Sequence, residues 1–304
     1  MRGIDASGWT AALPLVVVVP MLALASALGT DAIIFPEGAA LAMGIWVVRL
    51  PGWSRSRWRV AVLPPLFALA GVLMGRAGLS REAALILTVA LALVALHAFD
   101  TRLAPAMSAA ALPIVFDVRA WSYPLAVLAI SVVVAIAMKA VPDGPGRYAW
   151  RVAATAWLVI ATWVLVAGGV LGLAAAALSP PLFVSALEWL GRKPVAWRDG
   201  VRRWAVLAGA ALAGSVAVQV VAVSWLAGSL AVVATLGLMA VLATPHPPAL
   251  AIALIPQILE SSDPASFTAA VAAGAAALYL GVFALAIRWP ALRALRSRPA
   301  RRPA

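Results

Sequence analysis

Long apolar runs alternate with short polar or arginine-bearing segments from one end of this chain to the other. The runs predict helices over residues 12–29, 33–48, 60–75, 82–98, 104–116 and 122–139, then over 152–174, 178–190, 204–222, 229–244, 248–259 and 267–287. Several are shorter than the ~20 residues that a perpendicular membrane crossing requires. The predicted fold class is all-α, a polytopic transmembrane helical bundle of about 10–12 membrane segments with short or broken helices among them.

The pattern repeats. Residues 105–117 and 248–260 share two prolines and a closing acid without a gap: Pro105, Pro113 and Asp117 against Pro248, Pro256 and Glu260. Upstream, at the same separation of about 143 residues, Ala68-Leu69-Ala70-Gly71 matches Ala211-Leu212-Ala213-Gly214, each behind an arginine-tryptophan cluster (Arg57, Trp58 and Arg59; Arg202, Arg203 and Trp204). A period that long implies fused copies of a whole bundle rather than a solenoid of small units. The expected division is a first repeat over 1–142, a linker over 143–150, a second repeat over 151–290 and a basic tail over 291–304. Two prolines and two glycines within Val141-Pro142-Asp143-Gly144-Pro145-Gly146-Arg147 mark the hinge between them.

Composition fixes the solvent. A chain that is 64% apolar and 11% charged cannot hide its hydrophobic surface in a water-soluble fold of this length. It has no cysteine, and its two histidines alone could not close a structural zinc site, so no cofactor and no metal are expected.

The net charge of +12 acquires meaning from its placement. With twelve crossings and a cytoplasmic amino terminus, 20 of the 23 basic residues fall in cytoplasmic loops and only Arg76, Arg81 and Arg119 lie outside. That asymmetry predicts a multi-pass plasma (inner) membrane protein with both termini cytoplasmic. Arg-rich loops precede the third segment of each repeat, so the repeats run parallel, about an axis along the membrane normal. A cleavable leader is the alternative for the first run, where Arg2 precedes a short apolar stretch and Ala23-Leu24-Ala25-Ser26-Ala27 offers small residues. Residues 152–174 hold the matching place in the second repeat and favour a retained helix. The basic tail, from Arg293 to Arg302, is expected against anionic inner-leaflet lipid rather than nucleic acid. Trp53, Trp58, Trp121, Trp150, Trp189, Trp197, Trp204 and Trp289 read as an aromatic belt.

Candidate chemistry lies where prolines open short apolar segments: Phe35-Pro36-Glu37-Gly38, Ala104-Pro105, Ser179-Pro180-Pro181 and Thr244-Pro245-His246-Pro247-Pro248. Proline suits a first helical turn, whose N–H groups have no partner inside the helix. In lipid such donors must face protein, a polar cavity or a ligand, and the positive end of the helix dipole favours an anion. Prolines that merely mark helix ends at the membrane interface are the plain alternative. By the charge topology, the starts at Pro36 and Pro180 approach from outside and those at Pro105 and Pro248 from inside. Ser108, Ser185 and Thr244 would line the path or close-pack helices. Glu37 is the candidate for proton coupling, whereas Glu188, a turn from Arg192 and Lys193, reads as an interface ion pair. His246 could hold an anion when protonated, and His97 reads as an interface residue.

The run from Thr244 through His246-Pro247-Pro248 to Ala249 resembles the signature of the HPP family of integral membrane proteins, named for that tripeptide. Phe35-Pro36 with Gly38-Ala39-Ala40, and the small-residue helices around Gly71 and Gly214, are similar to that family's second and third helices. The resemblance implies a transporter, since nitrite transport is attributed to plastid and cyanobacterial relatives, and members of the family mostly carry a single repeat. This chain departs from the pattern in having Leu250 and Ile252 where glycines are usual, and Leu103-Ala104-Pro105 where the first repeat should carry the histidine-proline pair.

The expected function is therefore transport or channelling of a small anion, nitrite-like or another small inorganic or organic anion, between the two repeats. Other readings are an exporter of aromatic or amphipathic acids, a non-transporting scaffold, and a membrane enzyme acting on a lipid-linked substrate. The enzyme would need a carboxylate or histidine cluster that the sequence does not display. Expected partners are the bilayer, its anionic lipids, the anion and a second copy in a homodimer. The absence of cysteine makes the orientation directly measurable. Arg119→Cys should react with an impermeant thiol reagent on intact cells and Arg147→Cys only after permeabilisation; the opposite pattern would invert the topology.

Overall fold

The structure is a computed structural model that describes residues 8–140, 146–170, 178–192, 196–259 and 263–288. The proline-glycine hinge at 141–145, Lys193, the closing acid Glu260 and the basic tail therefore lie outside the described residues. After a short helical turn at Gly8–Ala11, twelve helices follow, with no strand among the described residues. They are α1 (Leu15–Leu28), α2 (Glu37–Ala42, continuing as a wider turn over Met43–Val47), α3 (Arg57–Gly75), α4 (Arg81–Ala98), α5 (Ala104–Val115) and α6 (Ser122–Ile136). Then come α7 (Trp150–Val164), α8 (Pro180–Leu190), α9 (Trp197–Val220), α10 (Ser224–Val241), α11 (Pro248–Leu254) and α12 (Pro264–Arg288).

Length and burial sort ten of these helices into two layers, while α1 and α6, of 14 and 15 residues, are short but keep exposed apolar residues such as Leu24 and Leu125. Six among the described residues are long and apolar enough to cross a membrane: α3, α4, α7 taken with its continuation to Gly168, α9, α10 and α12. Their outward faces carry leucine and valine, such as Leu66, Leu69 and Leu73 on α3 and Leu87, Leu91 and Val94 on α4. Exposed aliphatic stripes on that scale suit a hydrocarbon solvent, not water. The inner layer is α2, α5, α8 and α11, every residue of which is buried. A twelve-residue helix such as α5 rises only ~18 Å, against a hydrocarbon thickness of ~30 Å. Buried by its neighbours, it never has to meet lipid.

Packing follows a regular plan. Helix α3 lies against α4, α5 and α6, while α9 lies against α10, α11 and α12. Across the middle, α4 packs on α7 and α10 on α1; α5 packs on α8 and α11 on α2. The tightest of these contacts fall at the same register. A Cβ on Gly71 would stand 2.1 Å from the Ala110 carbonyl oxygen, and one on Gly214 would stand 2.2 Å from that of Ala253. The turns that end α4 and α10 agree as well. Asp100 and Ala243 take φ of 48° and 47°, and the next N–H closes back, from Thr101 to Leu96 O and from Thr244 to Met239 O. Left-handed backbone is costly for residues with a Cβ, so both turns are held by that closure.

Loops collect at two faces. At the basic face Arg55 pairs with Asp100 at 2.7 Å, Arg59 donates to Asp100 O at 2.9 Å, and Arg57 and Arg102 donate to the carbonyls of Met138 and Arg147. At the opposite face Arg76 donates to Arg119 O and stacks on Trp121, with its guanidinium 4.2 Å from the ring centre. Helix α5 thus runs from one face toward the other, starting beside Arg102 and ending near Asp117.

The tryptophans divide differently from the sequence expectation. Trp58, Trp121, Trp150, Trp197 and Trp204 are exposed in the manner of a belt, but Trp53 and Trp189 are buried at 3% and 0% exposure. Both sit on the inner connections and helices, which the long helices screen from lipid.

The glycine contacts are testable. Gly71→Ala and Gly214→Ala should each destabilise the protein by about 1–3 kcal/mol through overpacking, read as a lower thermal midpoint in detergent. Gly75→Ala, where a Cβ would meet nothing within 4 Å, should leave the midpoint unchanged or raise it.

Candidate functional site

The four short helices that carry the proline starts pack on one another in the inner layer. Helix α2 packs on α5 and α11, and α8 packs on α5 and α11, so the short helices form a closed set. Pro36 and Pro247 precede the first turns of α2 and α11 with helical φ of −56° and −49°; Pro105, Pro180 and Pro248 stand inside the first turns of α5, α8 and α11. Pro181 follows Pro180, and Gly38 is buried in the first turn of α2.

Donor accounting changes how these tips act. No side chain caps any of the four. Instead the N–H groups of Gly38, Ala39, Ala106, Leu182, Ala249 and Leu250 bond to carbonyls three residues back, and the prolines have no N–H to offer. The starts are satisfied within the chain. Each start still carries the positive end of a helix dipole, which does not depend on free donors.

Two buried polar clusters lie on this layer. In the first, the Ser108 hydroxyl on α5 donates to Oε1 of Glu37 on α2; Glu37 is 1% exposed. Its Oε2 has no hydrogen-bond partner. Tyr123 on α6 lies close enough to feel this carboxyl, and its own hydroxyl donates to Ala109 O at 3.2 Å.

The second cluster gathers α8, α9, α12 and the turn before α11. Arg203 Nη1 donates to His246 Nδ1 at 2.9 Å, and Arg203 Nε to Asp199 Oδ2 at 2.9 Å. A guanidinium only donates, so Nδ1 accepts and the proton of a neutral imidazole sits on Nε2. From there it points to Ser185 Oγ at 2.7 Å, with Ser185 also bonded to the Tyr279 hydroxyl. His246 and Arg203 are 0% and 1% exposed. The sequence offered His246 as an anion site when protonated. In this arrangement both ring nitrogens are already engaged, and the guanidinium supplies the positive charge. Thr244 is local: its hydroxyl donates to Leu242 O at 2.9 Å and helps close the turn.

Glu188 differs from the expected interface ion pair. It is 9% exposed, forms no ion pair within 4 Å among the described residues, and leaves Oε2 without a partner. It lines a cavity of about 210 Å³ on the basic face, together with Gly52, Trp53, Arg102, Tyr148 and Arg192. Both halves of the chain contribute to that wall. Pro36, Pro105, Pro180 and Pro248 do not line it. A second cavity, about 280 Å³ and apolar, lies between α9 and α12 and is lined by Trp197, Trp204, Tyr279 and Leu280 among others. His97 keeps a structural place, stacked on Trp150 at 3.9 Å with Nδ1 against Tyr148 O.

Sequence reasoning missed Arg203, which it counted as a loop charge, and Tyr279. Helical spacing could have found the arginine. Arg203, Val206, Leu207, Ala210, Ala211 and Gly214 form one inward stripe on α9, which excludes Arg198 and Arg202. Among the described residues no group of three or more His, Asp or Glu side chains is placed to hold a metal ion.

The family model described as HPP, transmembrane region, matches residues 201–294. The matched segment begins in the first turns of α9, takes in α10, α11 and the His246-Pro247-Pro248 tripeptide, and is consistent with an HPP family membrane protein. No curated protein and no solved structure matches the chain.

Removing the imidazole should expose its structural share of the work. His246→Ala leaves a guanidinium N–H without its acceptor and removes one of the two partners of the Ser185 hydroxyl, and should cost about 1–3 kcal/mol of stability. His246→Gln, which can accept from Arg203, should recover part of that loss in detergent unfolding.

Proposed function

We propose, with the HPP transmembrane region as premise, that this integral multi-pass membrane protein is a transporter or channel for a small anion. The cargo would be nitrite-like or another small inorganic or organic anion, and the path would run between two like-oriented halves along the inner layer of short helices. The observation that carries the reading is the cavity at the basic face, which both halves line and into which Arg102 and Arg192 bring positive charge. Guanidinium groups at a narrow mouth favour anions over cations. The start of α5, just beyond Arg102, would add the positive end of a helix dipole near the same mouth.

Duplication supports the placement of the path. Reciprocal contacts between α4 and α7 and between α10 and α1, with glycine contacts in matching register at Gly71 and Gly214, are what two parallel copies related by a two-fold axis would produce. In that arrangement the seam between copies is where alternating access would act. The basic face would be cytoplasmic, in the plasma or inner membrane, with the tail resting on anionic lipid.

Reconstitution tests this. Purified protein in liposomes should move nitrite, nitrate or another member of a small-anion panel above the rate of protein-free vesicles. Arg102→Ala combined with Arg192→Ala should reduce that rate by about tenfold or more. A folded, correctly inserted protein that moves no anion in the panel would overturn the reading.

A further inference from the structure

We infer that Glu37 is the proton-binding site that couples anion movement to a transmembrane pH gradient, an inference that rests on the transport reading above. The Glu37 carboxyl is 1% exposed, accepts a hydrogen bond from Ser108 on Oε1 and leaves Oε2 without a side-chain partner. Among the described residues, the elements packed on its helix carry no cation. Helix α2 packs on α1, α5, α6, α11 and its own continuation over Met43–Val47, and these elements contribute no Lys, Arg, His, Asp or further Glu. The one other titratable side chain they carry is Tyr123, whose proton is directed to Ala109 O. A bare carboxylate in such a setting is strongly disfavoured, so the group must hold a proton whenever the halves are closed around it.

Position turns that requirement into a coupling device. Glu37 and Ser108 sit on α2 and α5, and these helices meet α11 and α8 of the other half. Any movement of one half against the other changes the hydration of this carboxyl more than that of a residue interior to one half. Opened to water, the acid can lose its proton; enclosed again, it must regain one. A proton on Glu37 also offsets the charge of an anion carried past the apolar centre, so the pair crosses without net charge. Glu188 does not share this environment, because it faces a cavity with Arg192 on the same wall. The Ser108 hydroxyl serves as a positioning group, holding Oε1 and leaving Oε2 as the site of proton gain and loss.

Two measurements on the full chain decide the matter. In liposomes near neutral pH, with nitrite as the probe and protein-free vesicles as the background, an acid-outside gradient should drive accumulation by the wild-type protein. Glu37→Gln should lower that accumulation by about tenfold or more while exchange of internal for external nitrite continues. Infrared difference spectra after a pH jump should show a buried carboxylic-acid carbonyl band in the wild type, absent from Glu37→Gln and shifted in Ser108→Ala. Gradient-driven accumulation that survives in Glu37→Gln would overturn the inference and leave transport standing. Absence of nitrite movement in both proteins would count against the transport reading, with the infrared band then deciding whether Glu37 exchanges its proton. A wild-type protein without that titrating band would overturn the inference, leaving Glu37 as a complement to the helix dipole.

Discussion

A helix too short to span the hydrocarbon layer must have its ends enclosed by protein, because lipid offers no partner to a backbone N–H or carbonyl. This constraint organises the molecule. Helices α2, α5, α8 and α11 are all of that kind, and all are buried to the last residue. Six long helices, together with α1 and α6, surround them and present leucine and valine outward. Proline at the four starts removes donors that would otherwise need partners, and backbone bonds to carbonyls three residues back use most of the rest. The inner layer is thereby made tolerable at membrane depth without water.

Close approach completes the enclosure. At Gly71 and Gly214 the long helices α3 and α9 come near enough to the short helices α5 and α11 that a methyl group would strike a carbonyl oxygen. Small residues at such contacts let dispersion forces act over a larger area, which matters in a solvent where the hydrophobic effect does not drive helices together. The same tightness confines polar groups to a few defined positions. Glu37 with Ser108 forms one, and Arg203 with His246, Ser185, Tyr279 and Asp199 forms another. Each hydrogen bond there fixes a rotamer and a proton position, so the clusters are rigid in one arrangement and altered by any shift between helices.

Much of this was legible in the chain. Apolar runs located all twelve helices, although α9 starts at Trp197 rather than 204 and α10 at Ser224 rather than 229, and the prolines located the starts of α2, α5, α8 and α11, because both signals act on the residues that carry them. The tripeptide at His246 identified the segment that the HPP transmembrane-region family matches. Less legible were contacts made by single residues. Trp53 and Trp189 look like belt tryptophans beside charged loops, yet they are buried, since exposure is set by what packs over them. Arg203 has two arginines nearby that face outward, and only its place on the inward stripe of α9 separates it from them.

The sequence by itself determined the solvent of this protein, the positions of its helices and the places where its backbone could start a helix without free donors. These properties are summed over neighbouring residues and require no knowledge of distant ones. Tertiary structure decided which polar groups meet. Ser108 reaches Glu37 across 71 residues, Arg203 reaches His246 across 43, and Ser185 reaches Tyr279 across 94. Such pairs exist only once several helices have packed, because a side chain's partner, burial and proton position depend on the faces that other helices bring to it.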